Sequence, residues 1–518
     1  MQRVAVIGSG PGGLVAARYL QSEGFAPVLF EQAAVPGGQW SGDASCSGVW
    51  PSMRTNTSRV LTQFSDLPHA AGLATYPSNR EIGDYLLRYA ARFDLTAQTR
   101  LRTAVREIRA VPGGWGVRHD SQEEVFEKVV VASGRFQHGC IPEVPGLASF
   151  SGSAGVAHTF AYKDPEQYRG KRVLVAGCAI SALEIASDLC MLGAARVVVC
   201  FRRQRYVLPK LMAGVPSDHR VFSRYQALAE ESLPRSEFGA MLKELVLDAV
   251  GSPEQYGAPR PADSIVDAGL TLSQHYLPLV AEGRIEVRPW FDRVEGTQVR
   301  FSDGQVEAFD GLLFGTGFEL SLPFLSEAIR RTLDLDAQHI ELYKHTFHPQ
   351  LPGLAFVGMW DQSGPMFPPL ELQARWLAYV WSGAIASPTA EEMQLGLAEW
   401  RARRGEPQKT KMNLIALLFA RAAGVEPEPG RWPELQRALL FGPLAPVSFR
   451  LQGRDVLPDA ASRFASEALA FGCMQSPQFC ASELQKLQRL AGATQSRHVA
   501  EWAALPERTV QIQFPTAR

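Results

Sequence analysis

Two stretches of this chain end a β-branched run in a turn of small residues and then continue as an apolar-periodic helix. The first, RVAVIGSGPGG, turns at Gly8, Ser9, Gly10, Pro11, Gly12 and Gly13. The second, KRVLVAGCAISALEIA, turns at Gly177 and enters its helix through Ala179, Ser181, Ala182, Leu183 and Glu184. Small residues at those places let the backbone approach a pyrophosphate, and the ensuing helix points its positive end at the charge. One such turn is a weak signal. Two on one chain fit chemistry in which a pair of dinucleotides face each other and exchange a hydride.

The residues after each unit separate the two nucleotides. After the first helix, PVLFEQ ends in Glu31, whose carboxylate can accept hydrogen bonds from ribose hydroxyls and would repel a 2′-phosphate, as suits the AMP half of FAD. After the second helix, RVVVCFRRQR offers Arg202, Arg203 and Arg205, whose guanidinium groups match the 2′-phosphate of NADPH. The second turn departs from the glycine pattern at Ala179, where a methyl group could push the pyrophosphate outward and weaken binding. A βαβ unit that has lost its ligand is the alternative, and the neighbouring arginines weigh against it.

These turns need parallel sheets to carry them. The expected fold is α/β, with an FAD-binding Rossmann-like domain into which an NADPH-binding one is inserted, plus a mostly helical C-terminal extension. At 518 residues the chain is too long for one core. The expected division is 1–165 for the first part of the FAD domain, 166–285 for the NADPH domain, 286–385 for the return segment and 386–518 for the extension. A helix is expected near Glu81–Phe93, short strands over 100–133, a turn at Gly134 and a hairpin at Asp303-Gly304; helical patterns dominate 366–385 and 389–425. The formal net charge of −1 offers no general attraction to nucleic acid or an anionic membrane. The basic stretch from Arg401 to Lys411 reads as a solvated helix end or loop. Seven cysteines without a CxxC fit a reducing cytoplasm and argue against a dithiol reductase; Cys473 and Cys480 could pair, though buried free thiols fit better. The first strand begins within three residues of the N-terminus, leaving no room for a signal peptide, and no apolar run reaches spanning length, so no membrane anchor is expected.

Further segments resemble one family, the flavin-containing monooxygenases. They are GSGPGG, PGGQW at 36–40, RTNTSR at 54–59, FSDLP at 64–68, HTFAY at 158–162, GTGFE at 315–319, LYKHTFHP at 342–349, PPLELQARW at 368–376 and FGPLAPVSFRL at 441–451. The resemblance implies that Gly8 to Gly13 and Glu31 hold FAD, that Gln39 and Trp40 line the flavin, and that Thr55, Asn56 and Thr57 lie where flavin and nicotinamide meet. It places Gly177, Ser181 to Glu184, Arg202 and Arg203 on NADPH and adds Thr316 and Gln373 to the cofactor contacts. Of the family pattern FxGxxxHxxxY, the chain keeps His158 and Tyr162, while five residues, not three, separate Gly152 from His158. A hinge between domains is the implied role. Tyr162 stands where the Baeyer–Villiger branch has Trp.

By that resemblance, NADPH reduces the flavin, molecular oxygen adds to give a C4a-hydroperoxide, and an amine or sulfide attacks the distal oxygen. The protein keeps the site dry, with Asn56 as the catalytic hydrogen-bond donor. Walls near Trp360, Met366 and Phe367 are as consistent with a plain core. Ketone oxygenation, an NADPH oxidase that only leaks peroxide, and a non-enzymatic nucleotide-binding protein are the competing readings. The substrate is not legible, no metal is expected, and a homodimer is left open.

Overall fold

The computed structural model describes every residue except 44–45, 405–408, 496–499, 502–503 and 505–518. The chain end TVQIQFPTAR therefore lies outside the described residues. Strand β1 (Arg3–Ile7) leads through the first glycine turn into α1 (Pro11–Ser22) and back along β2 (Ala26–Phe30). Helix α2 (Asn79–Arg92) is opened by Ser78, which exchanges hydrogen bonds with Glu81, an arrangement that contributes about 1 kcal/mol. Strand β3 (Thr99–Arg100) closes one edge of the first sheet. An antiparallel meander comes next in β4 (Val105–Val111), β5 (Gly114–His119) and β6 (Gln122–Phe126), and then β7 (Lys128–Val131) returns to the first sheet.

The second unit is built from β8 (Gly155–His158), β9 (Arg172–Ala176), α3 (Ile180–Met191), β10 (Arg196–Phe201), β11 (Ile285–Pro289) and β12 (Gly311–Phe314). Strand β13 (Leu354–Phe356) brings the chain back to the first unit and leads on to α4 (Phe367–Ser382). The first sheet runs β13-β7-β1-β2-β3 and the second β11-β10-β9-β12-β8, all neighbours parallel. Parallel sheets are covered on both faces, which is why β1, β7, β9 and β12 are unbroken apolar runs and not alternating ones.

Sheet membership differs from the expected boundaries. Strand β8 falls within 1–165 and β12 within 286–385, yet both join the second sheet, β12 beside β9 and β8 beside β12. The reason is that a strand next to the glycine turn needs a neighbour on either side. Segments flanking the insert supply the far side, and a short apolar pattern carries no mark of which sheet it joins. The hairpin is where the sequence places it: Gln298–Phe301 pairs antiparallel with Val306–Ala308, and Gly304 takes φ +85° at the turn.

Helix α4 is buried from Phe367 to Val380 and lies along α1, so its polar residues need internal partners. Glu371 accepts from Tyr19 Oη at 2.8 Å and Ser65 N at 2.7 Å, and Arg375 donates to the Phe449 carbonyl at 3.1 Å. The C-terminal extension is helical over Ala390–Ala402, Met412–Ala422, Ala460–Leu469 and Ala481–Ala493. Its basic stretch is more engaged than a solvated end: Arg401, Arg404 and Lys411 pair with Glu341, Asp336 and Glu230, each at 2.8 Å. None of the seven cysteines is in a disulfide, and Cys473 is only partly buried and Cys480 exposed.

Candidate functional site

The first turn is organised from within. Gly8 takes φ +101°, donates to the Phe30 carbonyl at 2.8 Å, and faces the carbonyl of Ala132 so closely that a Cβ would sit 2.7 Å from its oxygen. A Cβ on Gly13 would overlap the Gly8 carbonyl oxygen. Glu31 is buried: Oε2 accepts from Ser9 N at 2.8 Å and Ser9 Oγ at 2.9 Å, and Oε1 accepts from Ala33 N at 2.9 Å. A carboxylate offers about four acceptor positions, so one remains for a ribose hydroxyl. Pro11 opens α1, and no side chain caps it at Gly10, in contrast to the capped α2. The first amide hydrogens of α1 thus lack a side-chain partner, as an anion site requires.

PGGQW is brought onto this turn. Gly37 donates to the Ser9 carbonyl at 2.9 Å, and a Cβ on Gly38 would lie 2.9 Å from Gly10 Cα, so two glycines meet without side chains between them. Gly12 looks instead toward Val357 and Leu370. Gln39 holds the loop, donating to the Phe136 carbonyl and accepting from Gly48 N at 2.8 Å, while Trp40 packs part-buried against the first core.

The second turn repeats this with different parts. Gly177 takes φ +133° and donates to the Cys200 carbonyl at 2.8 Å. Ala182 fits the third turn position because glycine faces it: a Cβ on Gly315 would come 2.7 Å from Ala182 Cβ. That close approach accounts for the first glycine of GTGFE. Ala179 sits at φ −98°, ψ 171°, extended backbone that any residue adopts, and it leaves α3 without a side-chain cap. Ala182 and Leu183 are buried beneath the turn, Ser181 is half-buried, and Glu184 pairs with Lys210 at 2.6 Å and accepts from Ser273 Oγ at 2.9 Å. Arg202 and Arg203 are exposed, and among the described residues no carboxylate pairs with either. Arg202 lies over the Trp290 ring at 4.9 Å. Arg205 is half-buried against Gly269.

Thr55, Asn56 and Thr57 lie on a loop between the two units. Thr55 is buried, donating N–H to Pro77 at 2.9 Å and Oγ1 to the Thr57 carbonyl at 2.8 Å. Thr57 Oγ1 meets Thr62 Oγ1 at 2.8 Å. The half-buried Asn56 amide differs: among the described residues nothing hydrogen-bonds it. Two other expected contacts are engaged by protein. Thr316 Oγ1 donates to the Cys140 carbonyl, and the buried Gln373 accepts from Gly358 N at 3.0 Å while donating to the carbonyls of His345 and Phe356, each at 3.0 Å. Their side chains hold backbone in place. Trp360 and Phe367 are core residues, and Met366 packs partly buried beside them.

The residues that tie the units together were not legible in the sequence. Tyr162 Oη donates to Asp188 of α3 at 2.9 Å, which fixes the tyrosine of the HxxxY pair to the second unit. His158 Nδ1 accepts from Phe160 N at 3.1 Å, and burial holds the ring below the usual histidine range, so it stays neutral and local. Lys163 donates to the carbonyls of Ser47 and Val49. Asp218 and His219 reach the Asn56 loop from the second unit. Only the Tyr162 spacing signalled any of this; the aspartates sit in ordinary helical surroundings.

Two parallel sheets, each ending in an uncapped glycine turn, with a carboxylate after one and free guanidinium groups after the other, define a two-dinucleotide flavoprotein oxidoreductase. The chain belongs to the flavin-binding monooxygenase-like family, whose profile matches residues 1–464. It is 31% identical over 484 residues to the N-oxide-forming dimethylaniline monooxygenase 2 of Rattus norvegicus, covering 88% of this chain and 89% of the relative. It is 29% identical over 486 residues to human flavin-containing monooxygenase 2, covering 87% of this chain and 89% of that one. Among solved structures, an S-allyl-L-cysteine S-oxygenase from Allium sativum aligns with a TM-score of 0.61 at 24% identity, over 90% of this chain and 99% of that one. A cyclohexanone monooxygenase aligns at 0.63 and 19%, over 82% and 98%, a likeness of fold. The protein is an NADPH-dependent flavin monooxygenase that uses FAD, NADPH and molecular oxygen. Among the described residues no helix is long and apolar enough to cross a membrane.

Proposed function

We propose that the enzyme oxygenates a soft nucleophilic nitrogen or sulfur of a small molecule, an amine or a sulfide. The observation that carries this reading is the Asn56 amide, half-buried at the seam of the two units and without a protein hydrogen bond among the described residues. Bound flavin supplies the oxygen-transfer chemistry through its C4a position. The backbone of Gly8 to Gly13, with Gly38 against it, takes the FAD pyrophosphate, and the spare acceptor of Glu31 takes a ribose hydroxyl. Gly177 and the start of α3 take the NADPH pyrophosphate, with Arg202 and Arg203 on the 2′-phosphate. Asn56 donates its amide to the reactive oxygen, and Thr55 and Thr57 fix the loop that carries it.

The relatives named as N-oxide-forming, and the fold shared with an S-oxygenase, agree with this choice. Tyr162 supports it over ketone oxygenation, since its hydroxyl is bonded to Asp188 and a Trp could not bridge there in the same way. Seven cysteines without a disulfide fit a reducing, cytoplasmic setting. The test is oxidation of N,N-dimethylaniline, methyl phenyl sulfide and cyclohexanone with NADPH under isotopically labelled dioxygen. One labelled oxygen atom should enter the amine or the sulfide. A labelled lactone as the main product, or hydrogen peroxide alone with every substrate, overturns the reading.

A further inference from the structure

The loop carrying Asn56 is fastened from both sides of the seam. On the side of the first unit, Asn79 Nδ2 donates to the Trp50 carbonyl at 2.8 Å and the Met53 carbonyl at 3.3 Å, and Thr55 N donates to Pro77 at 2.9 Å. On the side of the second, Asp188 of α3 accepts from Ser52 Oγ at 2.7 Å through Oδ1, its Oδ2 being held by Tyr162. Asp218 Oδ2 accepts from Ser58 N at 2.6 Å, and His219 Nε2 faces Ser58 Oγ at 3.0 Å. These two anchors stand on either side of Asn56 in the chain. The extension closes the cluster: the Phe471 ring packs edge-on against His219 at 5.5 Å and lies 4.7 Å beneath the Arg59 guanidinium.

Asp218, His219 and Ser58 are all buried. A carboxylate in such a place is costly, and an apolar side chain of similar size would stabilise the fold at least as well. Burial raises the Asp218 carboxyl to about 7 and leaves its Oδ1 without a partner. What the carboxylate does that an apolar group cannot is accept the Ser58 amide hydrogen, and thereby make the loop follow the second unit.

We propose that Asp218 is the positioning residue for Asn56, with Asp188 as the second anchor, and that together they hold the amide at the seam where the two cofactors meet. This rests on the reading of Asn56 given above. Losing the Ser58 bond would let the loop relax toward the first unit and withdraw the amide, while leaving both glycine turns intact.

Two measurements test this. In hydrogen exchange followed by mass spectrometry, the peptide spanning 52–60 should exchange about tenfold faster in Asp218→Ala, and at the native rate in Asp218→Asn, which keeps an acceptor oxygen. In air with NADPH and no added substrate, Asp218→Ala should release hydrogen peroxide about tenfold faster than the native enzyme, as Asn56→Ala should. FAD content and the anaerobic rate of flavin reduction should stay native in both, and Asp218→Asn should restore tight coupling. Ser52→Ala, which removes only the Asp188 contact, should give a smaller rise in the same two quantities, and it serves where Asp218→Ala fails to fold. If Asn56→Ala leaks peroxide while Asp218→Ala and Ser52→Ala do not, the positioning role is wrong and the role of Asn56 stands. If Asn56→Ala itself stays coupled, the reading of Asn56 falls and this proposal with it. Loss of FAD or slowed reduction in Asp218→Ala would show a merely structural residue and also overturn the proposal.

Discussion

The two glycine turns are alike in backbone and opposite in how their charged residues are used. At the first, the carboxylate after β2 is buried and bonded to three protein donors on Ser9 and Ala33, so the turn is set before any ligand arrives. At the second, Arg202 and Arg203 after β10 are exposed and bonded to no carboxylate among the described residues, so the protein leaves their charge unneutralised. The steric parts differ too. Gly13 has no room for a methyl group, whereas Ala182 keeps its methyl because Gly315 stands opposite. A preformed, closely packed turn suits a cofactor that stays; an open, cationic one suits a cofactor that comes and goes. Two different turns are built from one supersecondary unit by changing which partner carries the glycine and whether the charge is engaged.

The largest effect should come from forcing the two turns to resemble each other. Gly13→Ala puts a methyl group into the Gly8 carbonyl and should cost about 3 kcal/mol of stability together with most of the bound FAD. Ala182→Gly at the matching place should cost only about 0.5–1 kcal/mol and leave NADPH binding near native. Thermal melts with flavin quantified would check both, and equal tolerance at the two sites would break the comparison. A smaller effect is expected at the arginines. Arg202→Ala or Arg203→Ala should weaken NADPH by about 10- to 100-fold, the equivalent of 1.5–3 kcal/mol, and leave NADH almost unchanged. Titrations that show equal losses for both nucleotides would mean these side chains support the fold.

The smallest effects lie in the pH dependence of stability, where the two units should act in opposite directions. Glu124 of β6 is held down to about 2 by its hydrogen bond to Arg100, helped by Arg3 and His119. Its contribution is present above the ordinary carboxylate range and is lost as pH falls toward 2. Asp218, raised by burial from 3.8 to about 7, binds a proton in the fold that the unfolded chain has released, so its contribution is lost as pH rises through that window. Denaturant melts should therefore show Glu124→Gln flattening the acidic limb and Asp218→Asn flattening the limb toward neutrality. A native limb in either variant would remove that residue from the account.

Much of the framework around the two glycine turns was legible because it depends on local pattern. Strand, small-residue turn and helix succeed one another without a gap at Gly8 and Gly177, and the residues ending β2 and β10 are read directly from the sequence. The parts that could not be read depend on contacts between distant segments. The pairing of β12 beside β9, with β8 on its far side, is one case, since both are short apolar runs with no mark of their sheet. The engagement of Thr316 and Gln373 by protein carbonyls is another, because a polar residue inside a motif looks the same whether it meets a ligand or a backbone. Asp188 and Asp218 were invisible for the same reason: their partners Ser52 and Ser58 are far away in the chain, and burial alone gives them meaning.

A resident flavin and an exchanging nicotinamide are tested most directly by loading the native enzyme with excess FAD and NADP⁺, passing it through a desalting column, and denaturing the eluted protein. The account predicts one FAD per chain released into the supernatant and at most a trace of NADP⁺ retained, with NADP⁺ binding again on re-addition. FMN in place of FAD, flavin left on the precipitated chain, or NADP⁺ retained as firmly as the flavin would contradict it.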